Sequence, residues 1–346
     1  MAYDALLVLS FGGPEGTPDV IPFLENVLHG KNVPRERMLQ VAEHYYHFGG
    51  KSPINDQCRE LIAALENELR ARGVALPIYW GNRNWHPMLA DTVRQMKADG
   101  VQHVLAFATS VFGSYSGCRQ YLEDIERVRG EVADAPTIDK LRTFHNHPGF
   151  IDAMADRVRT ALESLPPEVR QNADVVFTAH SVPVSMAESS PYVQQLQEAV
   201  HLVSEKIGRK PGPLVYQSRS GAPGQPWLEP DICDYIRGQH AQGGRNALVI
   251  VPIGFLSDHM EVVYDLDTEA AALCEELGIQ MVRAGTAGVH PAFISCLRQL
   301  IEERISGAPR QALGILGTAP DVCPADCCPP PRRPARTEGR PVRATS

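Results

Sequence analysis

Residues 246–270 read NALVIVPIGFLSDHMEVVYDLDTEA. The run from Ala247 to Leu256 is apolar and rich in branched side chains, and an amphipathic helical pattern opens directly after it. Outward from this unit, short apolar runs alternate with amphipathic stretches along the chain, the pattern of an α/β protein with parallel strands. Strands are predicted at 5–11, 77–82, 103–109, 140–144, 174–180, 213–218, 246–255 and 280–285. Helical patterns lie near 17–29, 34–47, 54–72, 87–99, 119–129, 148–164, 190–207, 229–240, 262–277 and 291–306. This count predicts two four-stranded sheets. The polar stretch Glu168 to Asp174 leads into the second half, and the expected division is 1–150, 151–307 and a Pro/Arg-rich tail at 308–346. No strong internal repeat is visible.

The 346 residues are 43% hydrophobic and 21% charged with a net charge of −8, which leaves no general basic field for nucleic acid or anionic lipid. The apolar run near the start, Ala5 to Leu9, lacks a basic flank and reads as a first strand rather than an export signal. Ala247 to Leu256 is far short of the ~20 residues that span a bilayer. A cytoplasmic location without stable membrane insertion is expected. Three of eight cysteines, Cys323, Cys327 and Cys328, crowd together after the last regular pattern, where metal binding or exposed thiols are the open readings.

Within the opening stretch, Glu261, Asp265 and Glu269 step by four residues, so an α-helix places them in one carboxylate row. Like charges at that spacing destabilise a helix by a few tenths of a kcal/mol per pair. The helix dipole compensates such charges only in the first turn, which leaves Glu269 unexplained. A path for a divalent cation accounts for all three, against the alternative of a solvated acidic face. His180, in TAHSVP at 178–183, ends a very apolar strand, where open α/β sheets place their crevices. SFGGPEGTPDV at 10–20 reads as a tight turn beside a cleft rather than a phosphate loop, since Glu15 repels phosphate. HYYHFGGKSPIN at 44–55 and YQSRSGAPGQPWLEP at 216–230 supply Gly/Pro-rich loops with aromatics, material for walls around a flat ligand.

Taken with LLVLSFGGPE, GNRNWHP and ATSVFGSYSGCRQY, these segments resemble the ferrochelatase family from Leu6 to about Leu300, most closely its actinobacterial-type members. The resemblance implies two Rossmann-like chelatase domains with a porphyrin between them, and insertion of Fe²⁺, the metal substrate. It carries His180 and Glu261 over as catalytic and metal-contacting residues on opposite faces of the ring, and Asp265 and Glu269 remain metal residues on the carboxylate-row reading. Ser52 and Tyr121 become contacts to the tetrapyrrole, and Phe11 stands where some Gram-positive relatives have a tyrosine. Coproporphyrin III is the implied substrate, and the polar, basic segment HGKNVPRERM at 29–38 suits a porphyrin with four carboxylates. Protoporphyrin IX is the alternative, as are insertion of cobalt or nickel, a porphyrin-binding protein without turnover, and a sugar or nucleotide module. The resemblance also implies a [2Fe-2S] cluster on Cys118, Cys323, Cys327 and Cys328, with zinc as the alternative and Cys274 or Cys296 as substitute ligands. Partners are then the porphyrin, ferrous iron and haem-pathway enzymes.

Overall fold

The computed structural model describes residues 3–30, 33–220 and 224–330. Lys31 and Asn32 of the polar segment, residues 221–223, and the Arg/Pro-rich end from 331 lie outside the described residues, as do Met1 and Ala2.

Eight strands form two parallel four-stranded sheets. The first contains β1 (Ala5–Ser10), β2 (Ile78–Asn82), β3 (His103–Ala108) and β4 (Thr137–Lys140) in the order β2-β1-β3-β4. The second contains β5 (Asp174–His180), β6 (Leu214–Gln217), β7 (Ala247–Val251) and β8 (Gln280–Arg283) in the order β6-β5-β7-β8. β1 and β7 are buried along their whole length, as expected of strands covered by helices on both faces. On one face of the second sheet, Val176, Val215, Leu248 and Ile250 pack against Ile232, Ile236, Val262 and Leu266. Its other face joins a core that also takes in Leu6, Val8, Leu105 and Phe107 of the first sheet. Burial is thus continuous from one half to the other. The strand orders place crevices beyond the carboxyl ends of β1 and β3 and of β5 and β7, where the direction of winding reverses.

Local corrections to the sequence reading have physical causes. The strand expected at 140–144 lies at Thr137–Lys140, and Leu141 to His147 follow as a buried connection. That connection, LRTFHNH, is buried through Leu141 and Phe144 and through partnered polar side chains such as Arg142, but joins no ladder, so two buried apolar residues mimic a strand. The helix expected over 190–207 lies at Tyr192–Lys206, opening after Pro191, and a short helix that was not expected, Val184–Glu188, precedes it. The single α-helix expected over 262–277 is α-helical at Met260–Tyr264, π-helical at Asp265–Ala270 and α-helical again at Ala271–Glu276. A second π segment, Tyr115–Arg119, precedes the helix Gln120–Glu131. Such wide turns occur mostly as local bulges, frequently at functional sites. Among the described residues, no helix is long and apolar enough to cross a membrane.

Candidate active site

His180 is the last residue of β5, and its parallel partner in register is Gln217, the last of β6. Side chains alternate along a strand, so His180 shares its face with Val176, the face covered by the 260–276 segment. Close approach of the 252–259 loop to β5 depends on Gly254. Its N–H donates to the Thr178 carbonyl at 3.1 Å, and a Cβ there would come within 2.7 Å of Ala179 Cα. This contact brings Glu261 over His180.

The imidazole Nδ1 of His180 is 2.5 Å from the carbonyl oxygen of Ser181. A carbonyl only accepts, so Nδ1 carries the hydrogen and Nε2 is the basic nitrogen of the neutral ring. Nε2 stands 3.4 Å from a Glu261 carboxylate oxygen. Burial pulls the imidazole pKa down, but attraction and hydrogen bonding to Glu261 outweigh it and raise the pKa to about 9. The expectation that the two residues flank a porphyrin from opposite faces is not met. Groups touching both faces of a ring must stand roughly 7 Å apart, twice a van der Waals contact, whereas these two share one side of the cleft.

Behind the pair, Asp265 opens the π turn and accepts hydrogen bonds from Ser218 Oγ and, at 3.4 Å, from Gln217 Nε2. Burial, with help from the Glu261 and Glu269 charges and against the Ser218 hydrogen bond, pushes its pKa up to about 7. Glu269 is raised in turn by burial and by Asp231. The three carboxylates therefore act as one field. His259 caps the short helix, its Nδ1 accepting from the Glu261 N–H at 3.2 Å, and burial lowers its pKa.

The first half contributes a different wall. Phe11, just beyond β1, is 36% exposed. Arg83, just beyond β2, holds Asp124 at 2.5 Å, with its guanidinium carbon 4.8 Å from the Tyr121 ring centre and 5.9 Å from that of Phe11. Tyr121 is buried beneath this cation, and Ser52 is buried against Gly13 in the turn after β1. Both predicted tetrapyrrole contacts thus stand behind the wall surface. The halves meet beside the His180 pair, where Gln57 Oε1 accepts from the Asp258 N–H at 2.8 Å and His44 stacks on Tyr264 at 3.7 Å.

Cys118 is buried in the first π segment. Cys327 and Cys328 place their sulfurs 3.5 Å apart without a disulfide, and Cys328 has a left-handed backbone with φ 52°. The Cys323 thiol is pushed up to about 11 by burial and by the neighbouring Cys327 and Cys118 sulfurs. Cys328 is raised by burial and feels Cys327, Cys118 and Cys323. The four predicted thiols form one electrostatic group, whereas Cys274 and Cys296 lie buried among core residues. Among the described residues, no group of three or more His, Cys, Asp or Glu side chains is gathered as a formed metal site.

Sequence reasoning passed over Arg83, Gln217, Ser218 and His259 as individual site residues. A signal existed for three of them: Arg83, Gln217 and Ser218 lie at the carboxyl ends of their strands.

Comparison with known families decides what this arrangement serves, since residues 3–305 match the family profile described as Ferrochelatase. The chain belongs to the ferrochelatase family. It is a porphyrin metal-chelating enzyme. Among related ferrochelatases, one from Rhodopirellula baltica, named Ferrochelatase, is 57% identical over 345 residues, covering 99% of this chain and 98% of its own. The Coproporphyrin III ferrochelatase of Nocardia farcinica is 50% identical over 97% of this chain and 99% of its own. That of Streptomyces coelicolor is 49% identical over 94% and 93%. The ferrochelatase fold found here is also like that of a solved sirohydrochlorin chelatase, SirB from Bacillus subtilis subspecies spizizenii in complex with cobalt. The TM-score is 0.52 at 12% identity, covering 88% of this chain and 96% of that one.

Proposed function

We propose that this enzyme inserts Fe²⁺ into coproporphyrin III to give coproheme, with His180 and Glu261 as the catalytic pair. The 3.4 Å contact between His180 Nε2 and Glu261 carries the reading. A porphyrin loses two pyrrole N–H protons before a divalent metal sits in its plane, and a base must meet them. With its pKa raised to about 9, His180 rests as the imidazolium near neutral pH, held so by Glu261, and it accepts a ring proton at Nε2 once its own Nε2 proton has left. The Nε2 proton leaves through the adjoining carboxylates, with Asp265 at about 7 beside the pair, against the stronger hold of His180 at about 9, so this release is the costly step of the relay. The same release returns His180 to its neutral form for the second proton. Iron travels the opposite way along Glu269, Asp265 and Glu261, whose oxygens suit a borderline-hard cation.

The first half holds the ring. Arg83 supplies a charge for a porphyrin carboxylate and Phe11 an apolar face, with Tyr121 and Ser52 fixing these from behind. Exposed Arg35 and Arg37 lie in the polar segment that favours a tetracarboxylate over protoporphyrin IX. The actinobacterial relatives named for coproporphyrin III support the same choice.

Cys118, Cys323, Cys327 and Cys328 would hold a [2Fe-2S] cluster. Two thiolates on one tetrahedral metal with bonds of ~2.3 Å lie roughly 3.8 Å apart, close to the Cys327–Cys328 separation. The left-handed backbone at Cys328 accompanies the turning of the two adjacent sulfurs towards each other. Bound there, such a cluster supplies a one-electron couple and a tie between the tail and the Cys118 turn.

The test is anaerobic insertion of Fe²⁺ into coproporphyrin III and protoporphyrin IX, followed by loss of free-porphyrin fluorescence. Higher kcat/KM with coproporphyrin III is expected; higher kcat/KM with protoporphyrin IX overturns the substrate choice.

A further inference from the structure

Tyr192 opens the Tyr192–Lys206 helix, and its hydroxyl donates to the backbone carbonyl of His180 at 3.0 Å. The register of β5 with β7 runs out at Phe177 and Val251, so the carbonyl at the end of β5 takes its hydrogen from this side chain instead of a neighbouring strand. Across the same peptide, the Ser181 N–H donates to the Gln217 carbonyl at 2.8 Å. Both polar ends of the peptide after His180 are thereby held, which fixes where the Ser181 carbonyl stands, the acceptor for the imidazole Nδ1. Tyr192 is buried, and burial pushes its pKa up, so its hydroxyl stays a donor.

Two further side chains, at steps of three along this helix, tie it to other parts of the molecule. Gln195 Oε1 accepts from the Gly113 N–H at 2.7 Å, beside Phe112, whose ring stands edge-on to Tyr192 at 6.3 Å. Glu198 clasps the tail. One carboxylate oxygen accepts from the successive N–H groups of Ile315 and Leu316 at 2.6 and 2.9 Å, and the other from His145 Nε2 at 2.9 Å and Asn146 Nδ2 at 3.1 Å. Such charge-assisted bonds to a buried carboxylate are strong ones. The His145 ring in turn lies 6.4 Å from that of Phe112. Buried contacts thus run from the tail through Glu198, His145 and Phe112 to Tyr192.

We propose that Tyr192 is a positioning residue for His180, and that Glu198, by clasping the tail to the same helix, makes the docked tail part of that support. This rests on reading His180 as the catalytic base. The tail then bears on insertion through the backbone of the catalytic residue, without touching porphyrin or iron. Its loss should therefore appear in kcat and in neither KM.

The full-length protein is assayed anaerobically with Fe²⁺ and coproporphyrin III varied separately, and its sites are counted by porphyrin fluorescence titration so that misfolded molecules drop out of the rate. Tyr192→Phe keeps the ring and removes the hydroxyl. Its kcat should fall about tenfold, with iron and porphyrin KM within about twofold of the parent. An unchanged kcat, or a loss carried by either KM, overturns the proposal. Gly314→Ala breaks the clasp from the tail side, because Gly314 has φ +70° and a Cβ there would overlap the Glu198 carboxylate. It should speed tryptic cleavage after Arg310 and lower kcat about threefold. In the Tyr192→Phe background the same change should lower kcat no further, since the support of His180 is already broken. Additive losses, or a released tail with parent-like kcat, overturn the proposal. His180→Ala separates this outcome from the catalytic reading. If it abolishes insertion while Tyr192→Phe inserts at the parent rate, the base stands and only the positioning role falls; if His180→Ala inserts at the parent rate, both fall.

Discussion

Strand order is the same in the two sheets, so β1, β2 and β3 correspond to β5, β6 and β7, and the register that pairs Ser10 with Asn82 pairs His180 with Gln217. Asn82 and Gln217 are both buried amides with an unpartnered oxygen. The third strand of each sheet leads to a helix containing a π turn, Tyr115–Arg119 in one and Asp265–Ala270 in the other. What differs is the chemistry mounted on these equivalent positions. The first half ends its strands in Ser10 and Asn82, followed by Phe11 and Arg83 with Tyr121 behind them; the second ends in His180 and Gln217 and faces them with an acid row. On the function proposed above, one half holds a flat anion and the other moves protons and a cation. The backbone plan locates the crevice, and a few terminal residues decide its work.

Separating the halves by mutation tests that division. His180→Ala should lower kcat for insertion by about 10²–10⁴-fold, the usual contribution of a general base, with porphyrin affinity retained. Fluorescence titration measures binding and single-turnover quenching measures insertion; parent-like insertion breaks the comparison at its strongest point. Arg83→Leu should do the reverse, raising the porphyrin KM by roughly one to two orders of magnitude and leaving the iron KM alone, because it removes a charge pair to the ligand.

The seam between the halves yields a smaller effect, on stability. His147 is fully buried, and burial together with Arg142 lowers its pKa from 6.5 to about 4. The unfolded chain binds this proton at higher pH than the folded one, so His147's contribution is full above 6.5 and drains away as pH falls towards 4. That amounts to roughly 3 kcal/mol across the interval. His147→Asn keeps a side-chain acceptor for the Gly149 N–H, a bond His147 makes at 3.2 Å, and should flatten the fall of Tm over this range. An unchanged slope would show that other groups set it.

Much of this was legible in the residues. All eight strands were visible as apolar runs, and seven lie where expected, because the periodicity of buried parallel strands survives in any context. β4 was displaced because Leu141 and Phe144, buried in the connection after it, resemble strand residues more than the polar run Thr137–Lys140 does. The acid row was readable from its spacing of four, but not its π turn, which the spacing of charges does not encode. His180 and Glu261 were named, whereas their arrangement on one side of the cleft depended on the close approach at Gly254. Gln217 and Arg83 were missed because their importance comes from register and from partners far away in the chain, such as Asp265 and Asp124.

The division of labour is tested most directly by determining both KM values on one preparation of Asp265→Asn. The iron KM should rise about tenfold or more while the porphyrin KM stays within about twofold of the parent. A raised porphyrin KM with an unchanged iron KM would contradict the account, placing the acid row with the ring-holding wall instead of on the path of the metal.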